Sequence, residues 1–188
     1  RQGDGAGEKA YAACEVKVEA EFRTPVQTHS ALEPHGSLCD PTTEGGPTVW
    51  ASTQGTGTYQ GLANGLGGPG RVITEHMGGG FGAKFGPLAG ENAAAQMARA
   101  LGRPVRSMLT RREEHLLGGM RPDSIQRLNL GGTKDGTLKA FVGETFGTAG
   151  NGPGGAGCAN TIVYGLGAVD MTQATVRTHT ERGAAFRA

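Results

Sequence analysis

The residues best placed to do chemistry lie in one stretch, Glu-His-Met-Gly-Gly-Gly-Phe-Gly-Ala-Lys-Phe-Gly at 75–86. A lysine among glycines is what a phosphate-binding loop presents, with backbone N–H groups around the anion and the ammonium reaching it. Here Lys84 is preceded by Ala83 and followed by Phe85, so the required glycine and the magnesium-binding hydroxyl are both missing. The dinucleotide pattern G-x-G-x-x-[GA] is met by Gly78, Gly80 and Ala83. Residues 84–87 separate it from the following helix, however, and no acidic residue ends a second strand at ~20 residues further on. Two readings stay open from these residues alone. One is a glycine turn without a ligand. The other is a backbone kept bare so that N–H groups at a strand end can meet an oxyanion or phosphate.

A second group, His29, Glu33 and His35, gathers two imidazoles and a carboxylate. Their spacing matches no common zinc pattern, which argues against a metal site. His76, His115 and His179 have no clustered partners in sequence. Cys14, Cys39 and Cys158 are odd in number, widely spaced and without a C-x-x-C pair. That excludes a disulfide framework or zinc site and predicts reduced thiols.

The elements that would position these groups read as α+β, with mixed strands, a hairpin and few helices rather than a βαβ repeat. Residues 15–24 alternate apolar and polar as a half-buried strand, with Val16, Val18, Ala20 and Phe22 on its apolar face. Residues 28–40 and 47–53 form further strands around a hairpin-type turn. A short helix follows over 56–65, weakened by its glycines. A strand over 71–77 runs into the glycine stretch. The alanine-rich run 91–101, with Glu91 in its first turn, Arg99 in its last and Gly102 beyond, is the strongest helix signal. Next come a strand over 103–110, a short polar helix or turn over 112–119, and two alternating segments flanking Lys134-Asp135-Gly136, a hairpin signal. Residues 151–160 read as a flexible glycine loop, and 173–179 as a last extended segment.

The composition bounds what such a chain can do. It has 188 residues, 35 of them glycine and 5% aromatic, so core material is scarce. The net charge of +1 offers no footprint for nucleic acid. No apolar run reaches the length of a membrane-crossing helix. The opening RQGDGAGEKA has neither an initiator Met nor an apolar signal region, which reads as a start inside a longer protein or at a processed end.

Five segments, in order, resemble the molybdenum-binding large subunit of the xanthine dehydrogenase and aldehyde oxidase family. They are TPVQTHSALEPHG (24–36), VWASTQ (49–54), GGGFGAKFG (78–86), GRPVRSMLTRREEHLLGGMRP (102–122) and GAAFRA (183–188). The wording is similar to bacterial aldehyde- and isoquinoline-type members. The resemblance implies a first cofactor-binding domain over 1–188, part of a longer subunit. It implies a molybdenum-molybdopterin cofactor, in its cytosine dinucleotide form, contacted by Gln54, Gly80, Phe81, Gly82 and Arg187, with no side chain ligating the metal directly. Gln54 matches a glutamine that donates to a metal oxo group, a contact an amide makes without adding charge. Phe81 and Gly82 match a pair whose backbone approaches the same face, and the Arg187 guanidinium matches a loop arginine beside the cofactor.

The resemblance further implies hydroxylation of an electron-poor carbon with water as the oxygen source, and partner subunits or domains carrying FAD and [2Fe-2S] clusters. The general base, a glutamate, is expected beyond these residues, so no catalytic residue falls within the chain and the isolated segment is expected to be inactive. Phe85 stands where purine-oxidising relatives carry a substrate-binding glutamate, which turns the expectation away from xanthine toward aldehydes or N-heteroaromatics. The AAFRA loop at 184–188 lacks the cysteine that carbon monoxide dehydrogenases place before the arginine, which disfavours carbon monoxide. Arg121 is either a substrate-orienting arginine or a strand-capping one. Cytoplasm and periplasm both stay open as the compartment. The competing reading is a non-catalytic remnant or a nucleotide-binding module.

Overall fold

The computed structural model describes residues 3–152 and 164–186. Four helices and ten strands occur among the described residues, distributed over two compact units. Unit 1 comprises residues 1–27 and 121–183, and unit 2 residues 28–120 and 184–188. Two-residue strands, β2 (Gln27–Thr28) and β7 (Met120–Arg121), fall where the chain passes from one unit to the other.

Unit 1 is a four-stranded sheet in the order β1-β8-β9-β10, built from β1 (Val16–Thr24), β8 (Ser124–Gly132), β9 (Leu138–Gly150) and β10 (Ala168–Arg177). The predicted Asp-Gly hairpin joins β8 to β9: Gly136 donates to the Thr133 carbonyl at 3.0 Å and has φ 89°. Helix α1 (Ala6–Ala13), which no sequence signal announced, packs on β9 and β10. Its N-terminal N–H groups are capped from far along the chain, because the buried Asp170 carboxylate accepts from Gly5 N–H at 3.0 Å and Glu8 N–H at 2.9 Å. Strand β1 forms as expected, but its apolar face is not buried: Val16, Val18 and Phe22 are all exposed. It is an edge strand, and its polar residues meet α1 instead, Glu19 accepting from the Tyr11 hydroxyl.

Unit 2 carries the sheet β5-β4-β3-β6, from β3 (Gly36–Asp40), β4 (Thr48–Ala51), β5 (Arg71–Ile73) and β6 (Val105–Met108). Helix α2 (Thr56–Gly65) packs on β4 and β5, and α3 (Ala89–Leu101) on β3 and β6. The core between them is small-residue rich: Cys39, Val49, Tyr59, Ala63, Leu66, Ala94, Ala95 and Ala98. Glu91 is buried at the start of α3, accepting from the Leu88 N–H and the Tyr59 hydroxyl, both at 2.8 Å. Burial raises the Glu91 carboxyl above its ordinary range and raises the Tyr59 phenol strongly. Helix α4 (Arg111–Leu117) is opened by Thr110, whose hydroxyl accepts from Glu113 N–H.

Two expected strands are shorter than their composition suggested. Only β2 and β3 come from 28–40, since Ser30 takes a φ of 45° and residues 29–35 turn away to bond other segments. The strand predicted over 71–77 ends at Ile73, where its parallel partner β4 also runs out. Cys14 and Cys39 are free thiols; Cys158 and most of the predicted glycine loop lie outside the described residues.

Candidate functional site

Residues 78–85 form a loop between β5 and α3 whose hydrogen bonds determine what it can present. At its start, Gly78 N–H donates to Glu33 Oε2 at 2.8 Å and Gly78 C=O accepts from Glu33 N–H at 3.3 Å. At its end, Lys84 C=O accepts from Gln54 N–H at 2.8 Å and from the Thr53 hydroxyl at 3.0 Å. Phe85 C=O accepts from the Thr58 hydroxyl at the start of α2. Between these anchors the Gln54 side chain spans the loop. Its Oε1 accepts from Gly82 N–H at 2.8 Å and Lys84 N–H at 3.3 Å. That pair of donors fixes the amide orientation, since the reversed amide would turn its own N–H₂ toward two N–H groups. The Gln54 Nε2 donor is therefore left for another partner, and none is found among the described residues.

The tip follows from this anchoring. Ala83 N–H closes back on Gly80 C=O at 2.9 Å, while the N–H groups of Gly79, Gly80 and Phe81 have no partner among the described residues. A side chain at Gly80 would meet Gln54 Oε1 at 2.5 Å, so that glycine is required by the approach of Gln54. Phe81 itself has φ 51°, unusual for a residue with a side chain, and its ring is 45% exposed. The resulting donor set is one amide N–H₂ plus three successive backbone N–H groups, two of them without a Cβ. It fits a bulky oxo- or phosphate-bearing group and adds no charge of its own.

Charge lies beneath the loop instead. Lys84 is fully buried, its ammonium donating to the Glu33 carbonyl at 2.5 Å and Ser52 Oγ at 2.6 Å, with Glu33 Oε2 at 3.8 Å. Burial lowers the Lys84 pKa against the pull of Glu33, Glu114 and Glu91. For Glu33, burial pushes the carboxyl up, but the bonds from Gly78 and Ser52 and the Lys84 charge outweigh it and bring it below the ordinary range. His35 is equally enclosed. Its Nδ1 lies 2.9 Å from Glu114 Oε1, its backbone N–H donates to Glu114 Oε2 at 2.7 Å, and its Nε2 lies 3.2 Å from the Ala83 carbonyl. Burial would raise Glu114 too, and the two His35 bonds reverse that into a lowered pKa.

His29, Glu33 and His35 thus bond separate partners and do not converge on one point. His29 has Nδ1 at 3.3 Å from the Gly119 carbonyl and Nε2 at 2.6 Å from that of Ala185, with the Phe186 ring centred 4.7 Å from its own. The segment it holds, 184–186, immediately precedes Arg187, which lies outside the described residues. Phe85 is 52% exposed on the same loop as Phe81. Arg121 is exposed and belongs to unit 1, whereas Gln54, Gly80, Phe81, Gly82 and Phe85 belong to unit 2. Sequence reasoning missed Lys84 as a buried cation, and Glu114 as the partner of His35. The available signal was the apolar flank of Lys84, Ala83 and Phe85, where a solvent-facing lysine would more often have polar neighbours.

The family model of the molybdopterin cofactor-binding domain matches residues 1–188. The chain belongs to the xanthine dehydrogenase and aldehyde oxidase family. Among the family's members, the aldehyde oxidoreductase molybdenum-binding subunit PaoC of Escherichia coli (strain K12) is 36% identical over 151 residues, covering 78% of this chain and 20% of that protein. The xanthine dehydrogenase/oxidase of Felis catus is 35% identical over 149 residues, covering 76% of this chain and 11% of that one. The aldehyde oxidoreductase of Desulfovibrio gigas shares the fold, with a TM-score of 0.75 at 23% identity over 97% of this chain and 21% of that structure. The chain thus spans about a fifth or less of the length of these family members.

Proposed function

We propose that this chain acts as one cofactor-binding domain of a larger molybdenum hydroxylase subunit, and that the loop 78–85 with Gln54 faces the molybdopterin cofactor. The observation that carries the reading is the divided Gln54 amide, its oxygen committed to the loop and its N–H₂ left to donate. When bound, the cofactor supplies the oxidation itself, with water as the source of oxygen; the protein supplies orientation and electrostatics. Gln54 Nε2 donates to an oxo ligand, and the N–H groups of Gly79, Gly80 and Phe81 line the same face. Gly82 serves indirectly by holding the Gln54 oxygen. Arg187 adds positive charge at the cofactor, and the general base is a glutamate outside these residues.

The substrate class follows from the loop's far side. Phe85 offers an exposed apolar ring where a purine-gripping carboxylate would be needed, which favours an aldehyde or an N-heteroaromatic ring. For Arg121 the two readings, orienting a substrate and capping a strand, both stand. The cofactor assigned is the cytosine dinucleotide form, and iron–sulfur and FAD partner subunits would take up the electrons its oxidation chemistry releases. Similarity to PaoC, whose name states an aldehyde oxidoreductase molybdenum-binding subunit, supports the aldehyde reading.

The test has two parts. Metal and pterin analysis of the intact subunit should find molybdenum and a pterin together; their absence, with ATP or NAD retained, would overturn the reading. Gln54→Glu should then keep both loop bonds but lose the donor. Turnover should fall by about 10- to 100-fold, as for other groups that support a metal from its surroundings, with the melting temperature little changed.

A further inference from the structure

The loop that presents the donors has both ends fastened to a single residue. Glu33 receives Gly78 through its carboxylate and backbone N–H, and receives Lys84 through its carbonyl. Ser52 Oγ joins the two, donating to Glu33 Oε2 at 2.7 Å and accepting from the Lys84 ammonium. Seven residues of chain are thereby closed into a ring by hydrogen bonds to a buried cation and a carboxylate. Such charge-assisted bonds are shorter and stronger than neutral ones. The three side chains bond one another and the two ends of the loop.

We infer that Glu33, Ser52 and Lys84 are positioning residues that close the loop 78–84 and hold Gly79, Gly80 and Phe81 in the conformation that leaves their N–H groups without a partner among the described residues. The purpose assigned to that conformation rests on the function proposed above; the closure itself does not. A bare glycine loop has many accessible conformations, and three successive glycines cost more ordering entropy than other residues. Fixing both ends on one anchor removes most of that freedom before a ligand arrives, the general route by which preorganisation raises affinity. The closure is also open to solution on one side. Glu33 and Ser52 line a pocket of about 360 Å³, with Trp50, His76, Arg106 and Met108 on its other walls.

The test is amide hydrogen exchange on the cofactor-free intact subunit, comparing Gly78–Gly82 with the buried core of α3. Lys84→Met removes the cation, and Ser52→Ala removes the linking hydroxyl with little change of volume. Each should accelerate exchange at Gly78 and Gly82 by at least about tenfold while α3 keeps its protection, as expected for a local rather than global opening. Glu33→Gln retains an oxygen for Gly78 and should restore most of the protection that Glu33→Ala loses. In subunit expressed with its cofactor, molybdenum content should fall in the same order. Unchanged exchange at Gly78 and Gly82 in both Lys84→Met and Ser52→Ala overturns the inference, as does acceleration spread equally through α3. Because exchange is read without cofactor, a subunit that lacked molybdenum altogether would remove the proposed function and leave this result standing.

Discussion

Phe81 is the residue where the loop departs furthest from ordinary backbone geometry. With φ at 51° it sits where a side chain costs about 1–2 kcal/mol, among glycines that take such conformations freely. A glycine there would be easier to fold, so the ring is retained against a local cost. This gives a simple stability comparison. Phe81→Gly should be more stable than Phe81→Ala by about 1 kcal/mol, read from denaturant unfolding, since both lose the half-exposed ring and only alanine keeps the unfavourable φ. Equal stabilities would show that the strain is relieved elsewhere. Lys84, three residues on, shows the opposite case: a costly buried charge kept because its ammonium donates to two oxygens and has the Glu33 carboxylate 3.8 Å away.

At the scale of elements, α4 is docked by two side chains, and Arg111 at its start donates to the Ala31 and Leu32 carbonyls. Glu114 reaches from it to both the ring and the backbone of His35, and His35 touches the glycine loop through the Ala83 carbonyl. Both side chains are essentially without solvent contact, so breaking the pair leaves a buried group unserved. Glu114→Ala should cost about 1–3 kcal/mol in thermal or denaturant unfolding. The pH dependence has a definite sign. Glu114 and Glu33 both have folded pKa values below the ordinary 4.5, so their stabilisation is complete above that value and is lost as pH falls through the folded pKa. Acid unfolding below pH 4.5 should accordingly be blunted in a Glu114→Gln variant.

The same helix shows what the sequence could disclose. Its segment reads as a short polar helix or turn and the Asp-Gly pair as a hairpin, because both rest on neighbours in sequence. The body of α3 was legible too, from its alanines, Glu91 and Gly102. The family's five segments pointed to the loop and to Gln54. What was not legible depended on partners far away. The His35–Glu114 pair spans 79 positions and the Lys84–Ser52 contact 32, and neither leaves a local pattern. The apolar alternation of β1 was read correctly as a strand and incorrectly as a buried face, because alternation shows that two faces differ and not which of them is covered.

At the scale of the whole chain, the two units differ in continuity. All of unit 2's sheet and helices lie within the unbroken span 28–120, whereas unit 1 is assembled from 1–27 and 121–183. A 28–120 polypeptide should therefore unfold cooperatively in urea with helix content from α2, α3 and α4, while a 1–27 peptide should show no helix by circular dichroism. A non-cooperative 28–120 transition would mean that residues 184–186, which bond Met120 and His29, are needed to complete it.

The cap on α1 gives this asymmetry a direction in time. The eight residues of α1 are too few to hold a helix alone, and the carboxylate that caps them is Asp170. During synthesis at roughly 5–20 residues per second, the ribosome needs on the order of ten to thirty seconds to travel from one to the other. Of the four helices among the described residues, the first in sequence must therefore be the last to form. Until then its segment and the apolar face of β1 emerge together as unstructured sequence that a chaperone can hold.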